Sequence, residues 1–397
     1  MNIGILTYHW VPNFGANLQT LATVSYLRNN GYTPIVINWI PEDCKKSYEK
    51  ITPKTQFEAH KVFQERFFTC TEECENDDDI INAIKNNSIE AIIIGSDSLF
   101  NLLKPSFNIR RLKVIHPTSD HSFPNPFWGS FPSGNIPISG LSISSQNSKY
   151  YKFSDMKNSI KDALMNFRYL SVRDSWTQKL VIDMTDGICK PIVTPDPVFS
   201  FNDNKPPFIS KEVICNKFNL PEKYFLLSFS NNIRFSISDK WIKEFVELSN
   251  SELITCVSLP SPNGSHVNIL NCQIPLPLSP LEWYYLIKYS QGYIGRLMHP
   301  IIVSLHNSVP FFSFDHYGIL TAQLFINKKS SKIYNILERA DLLDNYYNIY
   351  SFAKKPSPKT VFSKIMSFDK KKCTKFALKQ SKLCELNFKT VIDSLIS

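Results

Sequence analysis

The stretch from Gly292 to Asp315, GYIGRLMHPIIVSLHNSVPFFSFD, admits few folds. Tyr293 and Ile294 close a short apolar strand, and Gly295 breaks it. From Ile301 the apolar residues Ile301, Ile302 and Leu305 recur at helical spacing, and Val309 to Phe314 reads as a second buried strand. His299 and Pro300 therefore start a helix, where proline is tolerated and backbone N–H groups lack intrahelical partners. The carboxyl end of a parallel strand is where α/β folds seat ligands. A histidine there can pass protons near neutral pH, and the helix end favours an anion. The alternative is that His299 only caps its helix.

The remaining chain repeats this strand–helix alternation. Ile3 to Thr7 is a strand, Tyr8 to Ala16 a loop, Asn17 to Asn29 a helix and Pro34 to Asn38 the next strand. That βαβ opening predicts a parallel sheet. The loop lacks GxGxxG, so no nicotinamide site is expected. Residues 41 to 89 read as polar helix with an acidic bend at Asp77, Asp78 and Asp79. Ala91 to Ile94 is a strand running into Gly95-Ser96-Asp97, and residues 117 to 135 form a long loop. Further strands end at Ser142 to Gln146, at Val172 before Arg173-Asp174, and at Thr194 before Asp196-Pro197. The polar stretch Asn202 to Pro207 separates two domains, 1–203 and 204–350. In the second, Ser279-Pro280-Leu281-Glu282 carries an N-cap serine, proline at the first helical position and a capping-box acid. Residues 351–397 form a lysine-rich, weakly amphipathic tail. Two Rossmann-like α/β domains with a terminal helix make a GT-B-like arrangement with a cleft between sheet edges; one large α/β domain is the alternative.

With 397 residues, 43% of them hydrophobic, the chain can build two cores. Its net charge of +9 suits an anionic small molecule or an acidic membrane face. The lysines are too dispersed, and zinc-finger and basic-helix patterns too absent, for a nucleic-acid partner. Nine scattered cysteines without a CxxC pair suggest reduced thiols in a cytoplasmic protein. No charged and apolar leader precedes the first strand, so neither a signal peptide nor a transmembrane span is expected. Histidines and carboxylates do not cluster at ligand spacing, and no metal or cofactor is expected. Interleaved with the tail lysines, Phe362, Ile365 and Phe368 make peripheral contact with the inner membrane face one reading; the preferred one is a solvated helix packing back on the first domain.

Five segments together resemble the polysaccharide pyruvyl transferase family. Gly4 to Thr7 followed by Asn13-Phe14-Gly15-Ala16-Asn17-Leu18-Gln19 is similar to its N-terminal strand and loop. Gly95-Ser96-Asp97 with Asn101 matches a family turn, with Phe100 in place of tryptophan. Ser171-Val172-Arg173-Asp174, Asp196-Pro197, and His299 ahead of Pro310 follow in family order. The resemblance implies phosphoenolpyruvate as co-substrate and donor, with no other cofactor. It implies as acceptor a sugar of a surface polysaccharide (capsule or exopolysaccharide) or a lipid-linked oligosaccharide, and a pyruvate ketal as product. It casts His299 as the proton-transfer group and Arg173 as a catalytic and donor-binding fork, with Arg296, Ser144 and Ser145 also on the donor side. Asn13, Gly15, Asn17 and Asp97 fall on the acceptor side. For Arg173 an internal salt bridge with Asp174 or Asp196 is the alternative. His9 and Trp10 are a further candidate platform for a sugar. The chain also departs from the family pattern. Arg296 stands three residues before the histidine rather than two, and His316 and Tyr317 stand where some relatives carry a lysine. A GT-B glycosyltransferase using a nucleotide sugar, with Asp315 as the one ambiguous acid, and a non-catalytic carbohydrate-binding protein remain as alternatives.

Overall fold

The computed structural model describes residues 1–108, 112–204, 206–229, 237–321 and 325–397. Its first half supplies β1 (Asn2–Leu6), β2 (Thr33–Val36), β3 (Ala91–Asp97), the antiparallel pair β4 (Ser106–Asn108) and β5 (Lys113–Ile115), β6 (Ile138–Ile143), β7 (Phe167–Val172) and β8 (Ile192–Val193). The helices of this half are α1 (Phe14–Asn29), α2 (Glu42–Ile51), α3 (Lys54–Phe67), α4 (Asp77–Asn86), α5 (Lys157–Leu164) and α6 (Ser175–Met184). The second half supplies β9 (Tyr224–Ser228), β10 (Thr255–Ser258), β11 (Cys272–Gln273), β12 (Gly292–Gly295), β13 (Phe311–Asp315), the antiparallel pair β14 (Ile319–Thr321) and β15 (Phe325–Asn327), and β16 (Tyr346–Asn348). Its helices are α7 (Lys211–Phe218), α8 (Asp239–Ser251), α9 (Pro280–Tyr289), α10 (Met298–His306), α11 (Lys332–Ala340), α12 (Pro358–Met366) and α13 (Lys370–Ile396). Among the described residues two six-stranded sheets form, ordered β2-β1-β3-β6-β7-β8 and β11-β10-β9-β12-β13-β16. The pairs within each sheet are parallel.

Side chains on a strand alternate between its faces, so each buried strand feeds two cores. Ala91 and Ile93 of β3 enter the core shared by the two halves, while Ile92 and Ile94 enter the outer core of the first sheet. Tyr224 and Leu226 of β9 enter the same shared core, and Phe225 and Leu227 pack outward under α8 and α12. One apolar cluster thus runs from α1 through α9 and α10 to α13.

Several boundaries depart from the expectations, each for a local reason. Helix α1 starts at Phe14 rather than Asn17, because the Asn13 side chain accepts bonds from the Gly15 and Ala16 N–H groups. Asp77 to Asp79 are the first turn of α4 rather than a bend. Asn76 and Asp79 exchange capping bonds, and the three carboxylates meet the positive end of the helix. Helix α7 was not foreseen; Ser210 caps it, and it buries only Ile214. The 117–135 loop is irregular apart from two short turns, and Trp128 within it is fully buried, stacked 4.2 Å from Phe100.

The tail folds as α12 and α13. Ile365 and Phe368, offered above to a membrane surface, are 2% and 9% exposed and lie in the cores. Helix α13 returns to the first sheet: Tyr169 OH donates to Asn387 Oδ1 at 3.0 Å, and Ser139 and Ser394 hydroxyls meet at 2.8 Å. Phe388 stacks on Tyr26 of α1 with centroids 4.2 Å apart. Lys371, Lys375, Lys379 and Lys382 stay on the outer face. Among the described residues no helix is long and apolar enough to cross a membrane. Because Phe388 is 1% exposed in the shared core, Phe388→Ala should lower unfolding free energy by about 3–5 kcal/mol. Urea denaturation of both proteins measures this; an unchanged midpoint would show that α13 is dispensable.

Candidate active site

The carboxyl ends of β1, β3, β9 and β12 converge on a cavity of about 360 Å³ between the two sheets. That falls within the ~300–1,000 Å³ of small-molecule sites. Its floor is where α1 and α10 meet. A Cβ on Gly15 would lie 1.9 Å from His299 Cγ, so only glycine lets the α1 backbone rest against this imidazole. Helix α10 opens on the cavity without a side-chain cap, and Leu297, Met298, His299 and Pro300 all line it. Free N–H groups at such an end favour an anion.

His299 keeps some exposure to the cavity, yet dense protein surrounds the ring. Its Nε2 finds no hydrogen-bond partner among the described residues. Burial pushes its pKa down to about 4, against the pull of Asp97 and Asp196 and with the help of Arg173 and Lys332. The imidazole is therefore neutral at physiological pH.

Asp97 sits on the turn after β3. Gly95 there has φ +128°, and a Cβ would stand 2.1 Å from the Leu141 carbonyl oxygen. Asp97 itself has φ +131°, a conformation that costs a non-glycine residue of order 1–3 kcal/mol. Its carboxylate accepts from the Ser98 N–H at 2.7 Å. Burial pushes its pKa up, but His299, Arg173 and Lys332 outweigh that and hold it below the usual value.

Arg173, expected to reach a donor, faces inward. It is 2% exposed, donates from Nη1 to Asp196 Oδ2 at 2.7 Å, and brings Nη2 to 3.7 Å from Asp97 Oδ1. Burial works against its charge, and Asp196, Asp97 and Asp174 more than offset it. Gln19 of α1 donates to the same Asp196 oxygen at 2.6 Å. Asp174 is already engaged, capping α6 through Thr177 N and accepting from Ser144 Oγ at 2.6 Å. Arg296 lies buried at the end of β12 among Tyr317, Tyr350, Tyr293 and Asp315. Neither arginine is among the described residues that line the cavity.

The other expected residues divide. Asn13, Gly15 and Asp97 line the cavity. Asn17 does not: it is fully buried, donating to the His9 carbonyl and pairing with His60. Ser144 and Ser145 are also fully buried, their hydroxyls bound to Asp174 and Thr177. His9 is held by Asn38 and the Thr7 carbonyl, and Trp10 packs against Tyr48, so neither forms a platform in the cavity. Tyr8, Tyr48 and His121 line that side instead. On the opposite wall stand Tyr317 and Lys332. The lysine escaped sequence reading; its one local signal is its place directly after the N-cap Ser331.

The sequence matches the family described as polysaccharide pyruvyl transferase over residues 13–317, from the Asn13 cap to Tyr317 in the cavity wall. The chain belongs to that family. No curated protein matches it. In three dimensions it is similar to the UDP-GlcNAc 2-epimerase from Neisseria meningitidis bound to UDP-GlcNAc. That pair has a TM-score of 0.56 at 11% identity, over 100% of each chain. Arabidopsis thaliana UGT89C1 complexed with UDP-L-rhamnose also has a TM-score of 0.56, at 10% identity over 99% of this chain and 98% of that one. A putative UDP-N-acetylglucosamine 2-epimerase from Listeria monocytogenes gives 0.54 at 8%, covering 97% and 94%. At such identities the likeness establishes the fold: two Rossmann-like domains in a GT-B-like arrangement. In this pyruvyl transferase family member the Gly15–His299 contact joins those domains at the cavity. Gly15→Ala should cost about 1–3 kcal/mol by overpacking and lower turnover by displacing the imidazole. Thermal unfolding with an activity assay tests this; wild-type values in both would show that the ring is free to move aside.

Proposed function

We propose that the chain transfers the pyruvate unit of phosphoenolpyruvate to two hydroxyls of one sugar, in a surface polysaccharide or its lipid-linked precursor. The observation that carries this is the neutral His299 imidazole at the uncapped start of α10, its Nε2 without a partner among the described residues, beside an ionised Asp97. In the reaction C3 of the enol takes one proton and C2 becomes cation-like. Two sugar hydroxyls add to C2 and each loses its proton, one to His299 and one to the phosphate, which departs with the electron pair of the C2–O bond. A phosphate seated at the α10 start raises the proton affinity of His299, because an adjacent negative charge favours the imidazolium. His299 then delivers the proton to C3 and, neutral again, accepts one from the attacking hydroxyl. Asp97 steadies both the imidazolium and the positive charge at C2. Arg173 acts through Asp97 as a positioning residue. On the acceptor side Tyr8 and Tyr48 offer ring faces, and Asn13 Nδ2 has no partner among the described residues.

A nucleotide-sugar reaction is the second reading, since similar structures hold UDP or UDP-sugars. It requires an acid free to bind a ribose after β13. Asp315 is instead fully buried, accepting from Ser331 Oγ at 2.5 Å, Tyr346 OH at 2.8 Å and the Tyr317 N–H at 2.7 Å. The test offers the protein phosphoenolpyruvate or UDP-sugars with a sugar acceptor, following phosphate release and product mass. Phosphoenolpyruvate should give phosphate and an acceptor heavier by pyruvate less one water, and His299→Ala should be slower by about 10²-fold or more. Transfer from a UDP-sugar, with phosphoenolpyruvate left intact, would sink the proposal.

A further inference from the structure

Lys332 is a buried cation facing a cavity. Its residue is 7% exposed, and no carboxylate comes within the 4.0 Å of an ion pair among the described residues. Its ammonium has three protons to donate. It makes one long contact, to Ser98 Oγ at 3.5 Å, and stands 4.7 Å from the centre of the Tyr317 ring. Buried lysines are costly unless paired, so this placement leaves a charge awaiting a partner. The cavity supplies the room, and the open start of α10 supplies further N–H groups in the same wall.

We propose that Lys332 is a donor-binding residue: its ammonium pairs with an anionic group of the donor, phosphate or carboxylate, held between Ser98 of the first domain and Tyr317 of the second. This rests on the reading of the site given above for the identity of the donor, but the anion site itself stands on the geometry of Lys332. The residue lies outside the segment 13–317 that matches the family, on a helix reached only after β15. Helix α11 brings it in: Ser331 caps that helix while donating to Asp315, and Asn335 meets Ser175 across the domain boundary.

The charged surroundings set how the group titrates. Burial and then Arg173 lower its pKa, Asp97, Asp174 and Asp196 raise it, and the balance leaves it at about 8. His299 lines the same cavity and His316 lies within the electrostatic reach of Lys332, both neutral at physiological pH because burial holds each near 4, and Tyr317 stays protonated because burial raises its pKa. In the free protein the ammonium is therefore lost as pH rises through about 8, and anion affinity should fall with it.

Three proteins decide the matter: wild type, Lys332→Gln and Lys332→Arg, with Lys328→Gln as an exposed control. Phosphoenolpyruvate saturation curves at fixed acceptor are read across pH 6 to 10, and inorganic phosphate binding is read by calorimetry. Lys332→Gln should raise KM for phosphoenolpyruvate at least tenfold with a smaller change in kcat. It should also weaken phosphate binding and abolish the decline of kcat/KM above about pH 8. Lys332→Arg should move that decline to higher pH, and Lys328→Gln should match wild type. An unchanged KM and an unchanged alkaline limb in Lys332→Gln overturn the assignment, as does a loss confined to kcat. If Lys332→Gln does not fold, an unmoved limb in Lys332→Arg overturns it. Were the wild type inert toward phosphoenolpyruvate, the reaction proposed above would fall, whereas phosphate binding that requires Lys332 would still uphold the anion site.

Discussion

The cleft depends on one contact, the backbone of Gly15 lying against the His299 ring. Two helices from different domains meet there start to start, and a single methyl group at position 15 would occupy the space of the imidazole. The α1 side is fixed by Asn13, which caps the helix one turn earlier than its apolar periodicity suggests. The α10 side is fixed by Ile301, Ile302 and Leu305, all wholly buried in the shared core. The imidazole is therefore located by packing, and its Nε2 is unpartnered among the described residues.

Around that contact the protein buries more charge than its fold requires. Arg173, Asp196 and Asp97 form a buried ionic group tied to α1 through Gln19. Such groups seldom add net stability, because desolvation offsets attraction, but removing one member leaves an uncompensated charge. Their effect here is on proton affinities. Asp97 is held ionised while His299 is held neutral, so adjacent groups are displaced in directions that leave one anion and one proton acceptor. Pairs whose environments separate their protonation states are the usual sign of divided acid–base roles.

What the sequence discloses follows from the range of the forces involved. The strand–turn–helix around His299 is legible because Gly295, Pro300 and the apolar run act over a few residues. The capping box at Ser279 and Glu282 is legible for the same reason, and the structure contains it. Arg173 is legible as a strand-end residue, but its partner is decided by competition. Asp174 is consumed by the α6 cap and Ser144, which leaves Asp196. Ser144, Ser145 and Asn17 look available in a loop reading because nothing local shows that Thr177, Asp174 and His60 will satisfy them. Lys332 is least legible of all. It is one lysine among many in a late helix, and only the packing of α11 against the first domain turns it into the cavity.

The way the domains are joined bears on how a ligand is met. Hinged α/β pairs need small, polar interfaces to move freely. Here the interface is a continuous apolar core. Phe14 stacks on Trp283 at 5.3 Å, and Gln56, wholly buried, exchanges two 2.8 Å bonds with the Leu278 backbone. Helix α13 then crosses back from the second domain onto the first sheet, with Cys373 against the Leu305 carbonyl and Cys384 against that of Asp196. Opening the cleft widely would expose this core and break the α13 contacts at both ends. The cavity is therefore largely preformed, and little binding energy is diverted to closing it. In a preformed site the position of each charge matters more than its number. A cation in the wall, such as Lys332, is open to whatever enters the cavity, whereas one behind it, such as Arg173, is already held by Asp196 and Asp97.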